Sequence, residues 1–166
     1  RTPWLANDGD ALFVNNVIYN PARQVMSIAG GGTTPSHFTA AGNVVRLGNN
    51  SQSELNGRLM FVQETAKPGT KVFLSDNLLE GLGYDWDVSE DHYGGDSKSS
   101  APSTPLPSDL IPSSQVVATV LQEVGARPFN RDHIDSRILN DVQNGTGKMI
   151  DSVSDVGGFP SPTPTY

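Results

Sequence analysis

The densest run of chemistry-bearing side chains is YDWDVSEDHYGGD, residues 84–96. Asp85, Asp87, Glu90 and Asp91 form a local acidic group there, interleaved with Tyr84, Trp86 and Tyr93. Closely spaced carboxylates on a loop suit a hard cation with oxygen ligands, and indole or phenol rings suit the face of a sugar. The run lacks the Asp-x-Asp-x-Asp-Gly order of a dedicated calcium loop, so a solvated acidic loop with its aromatics packed on the fold's edge is the plain alternative. Other chemistries find no support. Cysteine is absent, which removes disulfides and thiolate metal sites. His37, His92 and His133 are scattered and give no zinc spacing. No Gly-x-Ser-x-Gly marks a hydrolase nucleophile. Gly30 to Gly32 lack the Lys-Ser/Thr ending of a phosphate loop, so AGGGTTPS, residues 29–36, reads as a flexible surface loop.

The elements that must position such groups are short. With 166 residues, the chain is long enough for one domain with its own core. Hydrophobic residues make up 36% and charged residues 17%, and 17 Gly and 12 Pro fill much of the gap. That balance favours many strands and turns over a helical bundle. A net charge of −7 repels phosphate backbones, so nucleic acid is not an expected partner. No apolar run approaches the roughly 20 residues of a membrane span, so no membrane is expected either.

Three segments share a local grammar: Asn16 to Asn20, Asn43 to Gly48 and Asn77 to Gly81. Each begins with Asn followed by two apolar residues, and each follows a strand-like segment, namely Ala11 to Val14, His37 to Ala41 and Lys71 to Leu74. The Asn-to-Asn offsets are 27 and 34 residues. Unequal periods fit a coil whose turns carry loops of different length. Asn tolerates the left-handed backbone of a sharp corner, and its amide can bond to the copy in the next turn as a ladder. Three unrelated Asn turns in a β-rich protein remain open on this reading alone. A further strand pair fits Leu55 to Val62.

Ser97 to Pro112 is rich in Ser and Pro and reads as an extended linker that closes the β-rich part at residues 1–96. The period then changes. A helix fits Gln115 to Val124, capped by Ser113 or Ser114 and stopped by Gly125. A second fits Asp132 to Val142, capped by Asn130 or Asp132 and ended by Asn144-Gly145. The tail from Thr146 to Tyr166 has almost no periodicity and gains order only by lying across something, so residues 113–166 read as two helices and a tail packed on the coils.

VGARPFNRDHIDSRILNDVQNGTGKMIDSVSDVGGFP, residues 124–160, resembles the C-terminal region of bacterial pectate lyase-like proteins of polysaccharide lyase family one. The matching pieces are Gly125 to Pro128, Arg131 to Arg137, Gly145 to Lys148 and Val156 to Pro160. Arg1-Thr2-Pro3 ahead of Asn15 to Asn20 matches the family's Arg-x-Pro motif and the strand that follows it. The resemblance implies an all-β fold, a right-handed parallel β-helix, with this chain supplying its C-terminal coils and a short α-helical extension. The chain opens without an initiator Met, which suggests a processed or excised piece. The expected partner is then the N-terminal half, as a separate chain or an upstream segment.

By the same resemblance the activity is β-elimination on an acidic polysaccharide such as pectate, outside the cytoplasm: secreted, periplasmic or extracellular. A base removes the C5 proton of a uronate and the bond to the C4 oxygen breaks. The matching base is Arg1, and calcium ions stabilise the enolate-like state from ligands expected before Arg1. Arg is a poor base unless its surroundings lower a pKa above ~12. Where the family pattern has a second Arg, this chain has Trp4, which stacks on a sugar but cannot pair with a carboxylate. That departure points to a different uronate or a less charged glycan, and to a non-catalytic glycan-binding or adhesin-like protein as the rival reading. Arg46, Arg58, Lys67 and Lys71 are the candidate cations for a substrate cleft.

Overall fold

The computed structural model describes residues 4–6, 8–22, 25–30, 32–51, 58–63, 65–80, 87–90 and 97–159, with backbone alone for 58–61 and 87–90. Ten strands appear in order: β1 (Trp4–Leu5), β2 (Gly9–Val14), β3 (Val17–Tyr19), β4 (Met26–Ile28), β5 (Ser36–Ala41), β6 (Val44–Arg46), β7 (Arg58–Val62), β8 (Lys71–Ser75), β9 (Leu78–Glu80) and β10 (Asp87–Glu90). Two helices follow, α1 (Ser113–Glu123) and α2 (His133–Asn144), and then a 3-10 turn at Val153–Val156. Each strand pairs in parallel with the strand three places on. Sheet A is β1-β4-β7-β10, sheet B is β2-β5-β8, and sheet C is β3-β6-β9. The described chain is thus strand-rich, with parallel sheets, two helices and no closed barrel.

The recurrent Asn segments are β3, β6 and β9, and the segments before them are β2, β5 and β8. Sheet A is the part the sequence concealed. Its β4 is only three residues, and β10 lies inside the run read as an acidic loop. Of the strand pair placed at Leu55 to Val62, the part from Arg58 to Val62 is β7, and residues 55–57 lie outside the described residues.

The turn from sheet B to sheet C explains the recurrent Asn. Asn16 Nδ2 donates to Asn43 Oδ1 at 3.0 Å, and Asn43 Nδ2 donates to Asn77 Oδ1 at 2.8 Å. Each acceptor also takes the backbone amide of the Asn before it, Asn16 N and Asn43 N, both at 3.0 Å. The ladder is therefore real, but the left-handed residue is the one preceding each ladder Asn. Asn15 (φ 52°), Gly42 (φ 63°) and Asp76 (φ 48°) take that conformation, which Gly, Asn and Asp adopt at least cost. Two jobs sit on adjacent residues: one bends the chain and the next links the layers.

Alternation then fixes the core. Ala11, Phe38 and Val72 stack in register on sheet B, as do Phe13, Ala40 and Leu74. Small and large side chains alternate between these two columns, so Phe13 and Phe38 meet diagonally, with ring centroids 6.4 Å apart. Ile18, Val45 and Leu79 line the inside of sheet C, and Leu5, Ile28 and Val62 that of sheet A. Burial of these columns is the main stabilising term.

The glycine loop between β4 and β5, read as free surface, is tied at both ends. A Cβ on Gly30 would lie 1.6 Å from the Thr65 carbonyl oxygen, and one on Gly32 1.7 Å from Asp8 Oδ1. These glycines allow close approach between successive layers.

The Ser/Pro-rich segment bridges back onto sheet B: Val72 N donates to Ser97 O at 2.7 Å and Ser99 N to Val72 O at 2.8 Å. It then runs to the sheet B–C corner, where the Asn15 amide donates to Ile111 O (2.8 Å) and accepts from Ile111 N (3.0 Å). Helix α1 starts at Ser113 behind Pro112, which has no side-chain cap to offer. The expected cap by Ser113 or Ser114 is replaced by a distant one. Asp76 takes Ser113 N and Ser113 Oγ, each at 2.8 Å, on its two carboxylate oxygens, placing negative charge at the helix N-terminus. Arg131 closes the other end by donating to the carbonyls of Leu121, Gln122 and Val124. Asp132 caps α2 through Ile134 N and Asp135 N, and Gly145 (φ 68°) ends it, both as the sequence suggests.

Asn43 is fully buried and its amide also donates to Phe13 O at 2.9 Å. Asn43→Ala strands several buried groups at once and is expected to lower unfolding free energy by about 3 kcal/mol in a denaturant titration. Asp76→Gly, which keeps the left-handed corner (φ 48°), should cost about 1 kcal/mol through loss of the cap, read as faster amide exchange in the first turn of α1 with the core unaffected.

Candidate functional site

The outward residues of the three sheets define where a ligand can meet this chain. On sheet A, Trp4 and Ser27 are register partners facing away from the core-directed Leu5 and Ile28. Trp4 is 66% exposed, whereas Ser27 is buried and accepts from Gln63 Nε2 at 2.8 Å. A mostly exposed indole on a sheet face offers a flat apolar surface for a ring to stack on.

On sheet B the outward row is Asp10, His37 and Lys71, one residue from each successive strand. His37 Nδ1 lies 2.9 Å from Asp10 Oδ1, with both side chains a little over two-fifths exposed. Next to this pair is a cleft of about 230 Å³ lined by His37, Phe38, Lys71 and Phe73 on the sheet side and by Ser99, Ala101 and Ser103 on the Ser/Pro-rich segment. With Nδ1 engaged by Asp10, the imidazole keeps Nε2 for a ligand, as acceptor when neutral and donor when protonated. Ser99 Oγ donates to Ala101 O at 2.7 Å and accepts from Ala101 N at 3.4 Å.

The proposed binding residues do not converge. Trp4 is on sheet A, Lys71 on sheet B, Arg46 on sheet C, and Lys67 in the exposed loop between β7 and β8. Arg46 serves the architecture: its Nε pairs with Glu80, its register partner, and its Nη1 donates to Val142 O at 3.1 Å, near the C-terminal end of α2. Arg1, the proposed base, lies outside the described residues, as do Tyr84, Asp85, Trp86, Asp91 and Tyr93. Asp87 and Glu90 are placed in β10, and Arg58 in β7, by backbone alone. Among the described residues no group of three or more His, Asp or Glu side chains converges on a point, so they offer no ligand set for the calcium ion that the resemblance implies.

The His37–Asp10 pair went unnoticed in sequence, yet a signal for it existed. Asp10 and His37 are 27 residues apart, as are the ladder residues Asn16 and Asn43. Adding the layer offset to any outward residue of β2 names its neighbour.

The loop joining β4 to β5 is anchored by Asp8, which takes Thr34 N at 2.8 Å and Thr33 Oγ1 at 3.1 Å. The backbone amides of Thr33 and Thr34 hold its carboxyl at about 2, below its usual 3.8.

No family model, curated protein or solved structure matches this chain. Among the described residues no helix is long and apolar enough to cross a membrane.

Because the folded pKa of Asp8 is depressed, its contribution is present above the unfolded value of 3.8 and is lost as pH falls towards about 2. The Thr34 amide resonance is expected to titrate with that low midpoint, and Asp8→Asn should remove the step. A midpoint at the ordinary aspartate value would show the loop is not held this way.

Proposed function

We propose that this chain is part of a right-handed parallel β-helix of the pectate lyase-like kind that acts on an acidic, uronate-containing polysaccharide. Parallel pairing of every third strand and an Asn ladder at one corner support the β-helix, and right-handed crossover is the rule for parallel connections. The observation that carries the glycan contact, which both readings below share, is Trp4: a 66% exposed indole on the outer face of a parallel sheet; elimination rests in addition on the match of Arg1 to the family motif. In this reading Trp4 holds a sugar ring by stacking, and Arg1 takes the C5 proton of the adjacent uronate while the bond to the C4 oxygen breaks. The described residues supply no calcium ligands, so no step of this scheme is assigned to a metal on them. The reading places the protein outside the cytoplasm, where such polymers occur.

The non-catalytic alternative, a glycan-binding or adhesin-like β-helix, is favoured by the dispersal of Arg46, Lys67 and Lys71 over separate faces. It retains Trp4 as the contact and gives up Arg1 as a base.

Incubation of this chain assembled with the N-terminal half of the β-helix, with polygalacturonate and other uronate polymers in the presence of calcium, followed by the ultraviolet absorbance of the unsaturated product, separates the two. Elimination is expected, with Arg1→Lys losing turnover while keeping the wild-type melting curve, and Trp4→Ala weakening substrate binding by about tenfold. Full turnover in Arg1→Lys removes the base assignment. Binding without product on every polymer selects the alternative.

A further inference from the structure

We propose that the end of the coil formed by β1, β2 and β3 is a docking surface for one further parallel layer of the same winding, lying ahead of β1 and carrying an Asn at its sheet B–C corner. The inference rests on the winding seen in the three sheets and not on the polysaccharide activity proposed above.

All three sheets begin at this end, where β1, β2 and β3 are each paired on one side only. Such an edge carries unspent backbone groups along its length. Burial shows what a neighbouring layer does. In the layer of β4, β5 and β6, which has neighbours on both sides, Ile28, Phe38, Ala40 and Val45 are buried. Their register partners at the end, Leu5, Ala11, Phe13 and Ile18, are only partly buried. The core columns therefore reach the end face half covered, and a further layer would remove that apolar surface from water.

Hydrogen bonds at the corner give the surface a direction. Asn43 Oδ1 takes Asn16 N and Nδ2, and Asn77 Oδ1 takes Asn43 N and Nδ2. Each ladder acceptor thus serves the Asn of the layer ahead. Asn16 Oδ1 is the equivalent acceptor of the end layer, and no described residue donates to it. The Asn16 amide hydrogens go to Asn43 Oδ1 and Val14 O. Likewise Val44 N donates to Asn16 O and Leu78 N to Asn43 O, both at 2.8 Å, so Val17 N, the same amide of β3, points ahead. An acceptor and a donor placed side by side in this way fit the amide and carbonyl of another corner Asn, a contact the chain already makes twice. On sheet B, Asn15 N bonds to Ala41 O, so alternation along β2 leaves Leu12 N and Val14 N pointing ahead as well.

A second copy of this chain does not match the surface. Head to tail, β8 would have to reach β2, but Val72 of β8 is already bonded to Ser97 and Ser99, and the segment beyond them is rich in Pro, which cannot donate to a ladder. Head to head, the corner would offer an Asn whose amide hydrogens are both engaged. The layer of β4, β5 and β6 does match: Phe38 over Ala11 and Ala40 over Phe13 would continue the small-large alternation of the core columns.

The test joins a copy of residues 25–57 ahead of Arg1 and compares the extended and unextended chains by amide hydrogen exchange and sedimentation. In the unextended chain, expected to be a monomer, the Leu12, Val14 and Val17 amides should exchange freely. In the extended chain they should exchange at least about tenfold more slowly. Val44 and Leu78 of the original layers, bonded in both chains, report an intact fold. Asn43→Ala in the added copy alone should return Val17 to fast exchange. Undiminished protection there would mean that any strand pairs at this edge and would overturn the Asn requirement. Slow exchange of Val17 in the unextended monomer, or no slowing on extension, overturns the docking surface. So does a concentration-dependent dimer that protects the same amides, which would make a second copy the occupant. Polysaccharide turnover is not read, so failure here leaves the elimination reading to its own assay.

Discussion

The constraint on which this structure depends is the amide of Asn43. It is the middle member of a three-residue ladder, and only a side chain with both a donor and an acceptor can bond to a layer on each side. Buried without exposure to water, it must satisfy both ends within the protein, and Asn16, Asn77 and Phe13 O do so. The left-handed residue before it leaves no spare chain at the corner, so sheets B and C are locked in a common register. A one-residue slip in either sheet would break the ladder and turn the core columns outward.

The same corner organises the C-terminal region. Asn15 and Asp76 bend the chain with their backbones, and their side chains hold Ile111 and Ser113. On sheet C, Arg46 holds the Val142 carbonyl, Tyr19 donates to the Thr146 carbonyl, and Asn49 and Asn50 bond to Gly147 and Met149. Burial, then the nearby Asp141 carboxylate, pushes the Tyr19 phenol above its usual range and keeps it a donor. Helix α2 buries no residue and α1 buries only Val116, so directional polar bonds hold this region more than apolar burial does. Regions held in that way open before a packed core does.

Sheets B and C were legible in the sequence because the corner between them is short and its chemistry repeats. Their strand pairs and the ladder follow from it, and the second helix and its Asp132 cap were legible separately, from a local apolar period and a local capping residue. Of sheet A only β7 fell in a segment read as strand; β4 and β10 were not legible, because Met26-Ser27-Ile28 is too short to show a period and Asp87-Val88-Ser89-Glu90 is polar enough to pass for loop. These strands are set by their neighbours' register and not by their own propensity. The cap on α1 was hidden for a related reason: Asp76 is 37 residues from Ser113 in sequence and meets it only after the layers stack. The site was least legible. Arg46 and Lys71 look alike as isolated cations, but the 34-residue offset pairs Arg46 with Glu80 and sets Lys71 beside His37.

Charge sharpens what either functional reading demands. A chain of net charge −7 repels an acidic polymer at long range, so attraction must come from cations placed locally. Arg46 is paired with Glu80, and Lys71 stands beside His37 on the outer row of sheet B, next to the cleft. Elimination by Arg1 adds a second demand, because a guanidinium serves as base only where its pKa is brought far down. Burial, positive charge close to the guanidinium, or the bound polymer covering the site are the physical means of such a lowering. Binding and elimination therefore make different claims on this surface: binding needs only a ring on Trp4 and a local cation, whereas elimination also needs surroundings that bring down the pKa of Arg1.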